Sequence, residues 1–102
     1  MEKAEVWVHG ILAGILEEND KKSFIFTYKD KYEGPPVSLT MPLTEKIYRF
    51  ENFPPFFEGL LPEGAQLEAL LRREKIDQRD YFKQLITVGS DMVGAVTVRR
   101  CK

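Results

Sequence analysis

The sequence predicts an α+β fold, a small antiparallel sheet with helices packed on one side. Three observations carry this prediction. Apolar residues alternate at period two through the first half of the chain, recur at helical spacing through most of the second, and end in a valine-rich run. Strands first, then helices, then one returning strand leaves that last strand to pair with the N-terminal sheet.

In chain order, Glu5-Val6-Trp7-Val8-His9 is a strand, because its β-branched and aromatic residues suit a pleated surface. Gly10 interrupts it, and Ile11-Leu12-Ala13-Gly14-Ile15-Leu16 forms a second extended piece with a bulge or bend at either glycine. Residues 17–22 are a polar turn centred on Asn19-Asp20. Phe24, Phe26 and Tyr28 then share one face of a strand. A charged loop closed by Gly34-Pro35-Pro36 leads to Val37-Ser38-Leu39-Thr40-Met41, whose alternation predicts a strand with Val37, Leu39 and Met41 inward. Pro42 ends it by removing a ladder donor.

Pro54 and Pro55 suit the first turn of a helix. Phe56, Phe57, Leu60 and Leu61 fall on one face of it, and Pro62 redirects the chain. Leu67, Leu70 and Leu71 stripe a second helix, with Glu68, Arg72, Arg73 and Glu74 on its wet side. A third helix runs from about Gln78 to Val88, buries Phe82, Leu85 and Ile86, and is capped by Gly89. Residues 93–98 form the closing strand. The predicted core is Val6, Val8, Ile15, Phe24, Phe26, Leu39, Phe57, Leu60, Leu67, Leu71, Phe82, Leu85 and Val96.

The 102 residues are expected to form one domain, 1–102, long enough to bury a core without staples. A hydrophobic fraction of 43% with 12% aromatics argues for a globule rather than a disordered segment. Fifteen basic against sixteen acidic residues leave a net charge of −1, without the basic excess that direct nucleic-acid binding needs. The single cysteine, Cys101, excludes an internal disulfide and is expected to be an exposed thiol in a reducing compartment. No signal-peptide core opens the chain, and no apolar stretch approaches the ~20 residues of a membrane span. A cytoplasmic protein without membrane contact is expected.

Enzymatic chemistry finds little footing. His9 is the only histidine, so a paired-histidine metal site is unavailable and a His-based triad has only one possible base. A lone histidine on a strand is far more often an ordinary surface or packed side chain. Glu58 and Glu63 are separated by Gly-Leu-Leu-Pro and can face a common cleft, although such pairs more commonly serve partner contacts or helix ends. There is no phosphate-binding glycine loop, no dinucleotide fingerprint, and no kinase catalytic loop or Asp-Phe-Gly. No catalytic, cofactor-binding or metal-binding residue is assigned, and a non-enzyme is expected. Binding is better supported. Trp7, Tyr48, Phe53, Phe56, Phe57, Leu60 and Leu61 supply more large anchors than a small core absorbs, and such anchors dominate interface energetics. Phe56, Phe57, Leu60 and Leu61 either close the sheet as a lid or leave part of their surface to a partner.

Five segments in order carry a resemblance: residues 10–16; Phe24-Ile25-Phe26-Thr27-Tyr28; Val37-Ser38-Leu39-Thr40-Met41-Pro42-Leu43; Phe56-Phe57-Glu58-Gly59-Leu60-Leu61-Pro62-Glu63-Gly64; and Tyr81 to Ile86 followed by Gly89-Ser90-Asp91-Met92-Val93-Gly94-Ala95-Val96. Together they resemble the N-terminal subdomain of HipA-type toxin kinases. The resemblance implies a small, partly barrel-like antiparallel sheet with about three short helices. In that family the kinase residues lie downstream of this subdomain, so no catalytic or ATP-binding residue transfers to this sequence. A free-standing copy is similar to HipS, the small antitoxin of three-component systems, which neutralises a HipT-type kinase. The resemblance therefore implies a HipA-like toxin kinase as partner. It also implies a partner-binding surface at Phe56, Phe57, Glu58, Gly59, Leu60, Leu61, Pro62, Glu63 and Gly64, and contact with a helix-turn-helix antitoxin of the HipB type. The alternatives are a structural subunit of a HipA-type kinase, or an accessory to a helix-turn-helix repressor.

Overall fold

A computed structural model describes residues 2–21, 23–89 and 94–101. Strands β1 (Glu2–Val8), β2 (Ile11–Glu18), β3 (Phe24–Tyr28) and β4 (Ile47–Phe50) precede helices α1 (Pro55–Glu58), α2 (Gly64–Glu74) and α3 (Tyr81–Val88), and β5 (Val96–Arg100) closes the order. The sheet runs β4-β3-β2-β1-β5 with every pair antiparallel. It is open rather than closed into a barrel, with β4 and β5 as its edges. The returning strand pairs with β1, as the order of elements requires.

Both early glycines have structural duties. His9 and Gly10 form a two-residue hairpin turn with φ of 49° and 78°, the positive-φ geometry that matches strand twist. Val6 faces Gly14 while Trp7 faces Leu12, so Ala13 is the extra residue of a bulge. A Cβ on Gly14 would lie 2.3 Å from the carbonyl oxygen of Thr27 and 2.7 Å from the Phe26 ring, so only glycine lets β3 close onto β2.

One sheet face presents Ala4, Val6, Val8, Leu16, Phe24, Phe26, Tyr28 and Val98 to Phe57 and Leu61 around α1 and to Phe82 and Leu85 of α3. Each fully buried side chain of this size contributes roughly 1.5–3 kcal/mol. The opposite face carries Trp7, Leu12, Ile15 and Ile25, each half-buried, so Ile15 is not the core residue its apolar character predicts. Arg99 stacks over Trp7 with its guanidinium carbon 5.0 Å from the ring centre.

The largest correction concerns residues 37–41. They form a tight turn rather than a strand, closed by the Met41 N–H donating to the Ser38 carbonyl at 3.0 Å. Val37 and Met41 are buried, but Leu39 at the tip is 94% exposed. The cause is Tyr28, whose hydroxyl accepts from the Val37 N–H at 2.9 Å and donates to the Met41 carbonyl at 2.5 Å. Both ends of the segment are thus pinned to one atom, which a strand cannot satisfy. The place beside β3 is taken by β4, a short edge strand that the alternation does not reveal.

The helices differ in smaller ways. Helix α1 is a single turn with Pro55 at its start, and its geometry continues through hydrogen bonds from Leu60 to Phe57 and from Leu61 to Glu58. On α2 only Leu70 is fully buried, while Leu67 and Leu71 are half-buried, as is Leu60 before it. Helix α3 begins at Tyr81 because the Asp80 carboxylate accepts from the Lys83 N–H at 3.1 Å. Gly89 is right-handed, with φ of −60°, and is not a left-handed cap. Its role is close approach, since a Cβ there would lie 2.3 Å from the Val98 carbonyl oxygen. Val98 rather than Val96 is the fully buried residue of β5. Ser90, Asp91, Met92 and Val93, which include the predicted start of the closing strand, lie outside the described residues.

Candidate interaction surface

The segment 56–64 divides by side-chain direction. Phe57 is fully buried against Phe26, with ring centres 6.3 Å apart, and Leu61 is buried beside it. Phe56, Leu60 and Pro62 are half-buried, whereas Glu58, Gly59, Glu63 and Gly64 are exposed. A one-turn helix buries one side, so this single segment serves both as lid and as surface. Glu63 precedes α2 in extended geometry with φ of −129°, and its carboxylate makes no capping bond to that helix.

Glu58 and Glu63 border one cavity of about 300 Å³, whose apolar wall is Leu61, Pro62 and Leu67. A second cavity, of about 500 Å³, shares Glu58 and Tyr81 with it and reaches to Phe24, Phe53 and Phe82. Its aromatic wall is ordered. Phe53 meets Phe24 edge-on at 5.2 Å and Tyr81 at 5.6 Å, while Phe24 stacks over Phe82 at 6.3 Å. The rim comes from the α2–α3 connection, where Asp77 accepts from the Arg79 N–H at 2.7 Å and Asp80 caps α3. Buried Gln84 holds this connection, donating to the carbonyls of Asp77 at 3.3 Å and Gln78 at 3.0 Å. Asp77 and Asp80 carry no signal singled out from the sequence, and Tyr81 only that of a motif; the fold brings all three to one opening.

The remaining candidates lie apart from this surface. His9 is exposed at the hairpin turn, and its backbone N–H donates to the Ala95 carbonyl at 2.8 Å. Cys101 is half-buried rather than exposed, and burial together with the nearby Glu5 carboxylate pushes its thiol above the usual range. Among the described residues, no group of three or more His, Cys, Asp or Glu side chains is arranged to hold a metal ion. No helix among them is long and apolar enough to cross a membrane.

Comparison with known proteins agrees with this architecture. The family model of the HipA N-terminal domain matches residues 4–99. An uncharacterized protein of Haemophilus influenzae is 33% identical over 98 residues, which cover 96% of this chain and 92% of that protein. The putative kinase Y4dM of Sinorhizobium fredii is 34% identical across 72% of this chain, which spans only 20% of the kinase's length. A solved N-terminal domain of HipA toxin superposes with a TM-score of 0.80 at 26% identity, covering 100% of this chain and 94% of its own. The chain belongs to the HipA N-terminal domain family.

Proposed function

We propose that this chain is a non-catalytic antitoxin that binds a HipA-like serine/threonine toxin kinase of the HipT type and holds it inactive. The observation that carries this reading is the contrast between the two relatives. The domain is one part of the Sinorhizobium putative kinase, matching 20% of its length, but it accounts for 92% of the Haemophilus protein. The same fold therefore occurs both joined to a much longer chain and nearly alone. A domain shaped to sit against a kinase can do so as a separate chain, and binding one kinase conformation better than another suffices to restrain it.

The contact surface in this reading is the exposed part of residues 56–64. Glu58, Gly59, Glu63 and Gly64 face outward, with Phe56, Leu60 and Pro62 partly available. Phe57 and Leu61 support that surface from within. Both proteins would act in the cytoplasm, and a helix-turn-helix antitoxin of the HipB type would join them through the kinase. The kinase relative also favours a second reading, in which the chain is the N-terminal structural subunit of a split HipA-type kinase.

The test is co-expression with the HipA-like kinase of the same genome, scored for growth and for co-purification. Rescue of growth with a stable complex is the antitoxin outcome. A complex whose kinase activity rises supports the split kinase, and absence of any complex overturns both.

A further inference from the structure

We propose that the aromatic cleft between β3, the residues after β4, and the start of α3 receives an arginine side chain presented by an extended segment of a protein partner. The cleft deepens the partner-binding reading above and rests on it for the partner being a protein. Its volume of about 500 Å³ falls in the range of ligand-sized pockets, roughly 300–1,000 Å³, and exceeds what one side chain fills. Tyr81, 39% exposed, is the open ring at the mouth, backed by the buried rings of Phe53 and Phe24.

The rim selects the charge. Setting aside Glu18, the carboxylates of Glu58, Asp77 and Asp80 outnumber the one guanidinium in the lining, that of Arg79, so the rim favours a cation. Glu58, Asp77 and Asp80 form no ion pair among the described residues. A planar guanidinium suits both parts of such a site, because it stacks on an open aromatic face such as that of Tyr81 while donating in a fork to carboxylates. Lysine offers a compact charge without the stacking plane. The 300 Å³ cavity shares Glu58 and Tyr81 with the cleft, so it neighbours the cleft along the 59–63 segment where residues flanking the arginine would lie. That adjacency argues for an extended segment rather than a small free amine.

The test is an amide-resolved NMR titration of the full chain with a capped Gly-Arg-Gly-Leu peptide, beside its citrulline and lysine counterparts and arginine methyl ester. The expected result is saturable shifts centred on Phe53, Glu58, Asp77 and Tyr81, strongest for the arginine peptide and weakened by added salt. The folded double variant Glu58→Gln/Asp77→Asn should bind about tenfold more weakly, the scale of one lost charge-assisted contact. Equal shifts from citrulline, or none from arginine, overturn the proposal. Equal binding of the methyl ester overturns the extended-segment part. The same double variant is then tested against the kinase. Undiminished kinase binding sinks the cleft's role in that complex while leaving the antitoxin reading intact. Wild-type protein that binds the arginine peptide but no kinase separates the failures the other way.

Discussion

The Tyr28 hydroxyl donates to the Met41 carbonyl at 2.5 Å across thirteen residues of sequence, and the same oxygen accepts from the Val37 N–H at 2.9 Å. One side chain of the central sheet thereby fixes the shape of a loop that has almost no regular structure of its own. Tyr28→Phe should keep the ring packing and strand both backbone partners, costing about 1–3 kcal/mol. Urea denaturation measures this directly. An unchanged midpoint would mean that the loop holds its turn without the phenol.

The same hydroxyl gives a pH dependence. Burial outweighs the Val37 hydrogen bond, and with Tyr48 and Tyr32 nearby it holds the Tyr28 pKa above the ordinary 10.0. Burial raises Tyr32 in the same direction. A folded-state pKa above the unfolded one means the contribution is complete below pH 10 and is lost as pH climbs through the folded value. Thermal melts should therefore fall more steeply above pH 10 in the wild type than in Tyr28→Phe. Parallel curves would sink the assignment.

Leu39 and Met41 should respond oppositely to truncation. Leu39 is 94% exposed, so Leu39→Ser should change stability by less than about 0.5 kcal/mol. Met41 is 1% exposed, and Met41→Ala should cost roughly 2–5 kcal/mol. A strand across residues 37–41 would instead make the two losses comparable, which the same denaturation series detects.

That contrast explains how far the fold was legible in the sequence. Period two at Phe24, Phe26 and Tyr28 translated directly, because all three side chains are buried on the core face of the sheet. The same spacing at Val37, Leu39 and Met41 misled, because a turn anchored at both ends also points its first and last residues inward. Strand β4 was invisible because an edge strand of four residues, none fully buried, leaves no periodic trace. In the candidate surface, the 56–64 segment stood out by its density of large apolar groups. Sequence spacing could not say that Phe57 and Leu61 turn inward while Glu58 and Glu63 turn out.

Glycine substitutions separate strain from collision. Ala at Gly10 meets nothing within 4 Å but must adopt φ of +78°, a conformation that costs about 1–2 kcal/mol for a residue with a Cβ. Ala at Gly14 collides with backbone and with the Phe26 ring, and overpacking of this kind costs roughly 1–3 kcal/mol or more. Gly14→Ala should therefore be the more damaging variant in thermal melts and should shift the Phe26 ring resonances, which Gly10→Ala should leave in place.

The surface prediction follows from side-chain direction. Glu63→Lys and Leu60→Asp should retain native circular dichroism and weaken capture of the kinase, whereas Phe57→Asp should lose the fold. A kinase bound equally well by all folded variants would move the interface away from residues 56–64.

Strand β5 lies beside β1, with Ala4 opposite Arg100 and the Cys101 N–H donating to the Lys3 carbonyl at 3.1 Å. A polypeptide leaving the sheet after β5 thus departs next to the point where β1 enters it. A junction placed beyond Cys101 lies outside the β1–β5 pairing of the described residues. Adjacent chain ends of this kind are the general geometry by which a domain can be joined to or inserted into a longer chain without rerouting its sheet.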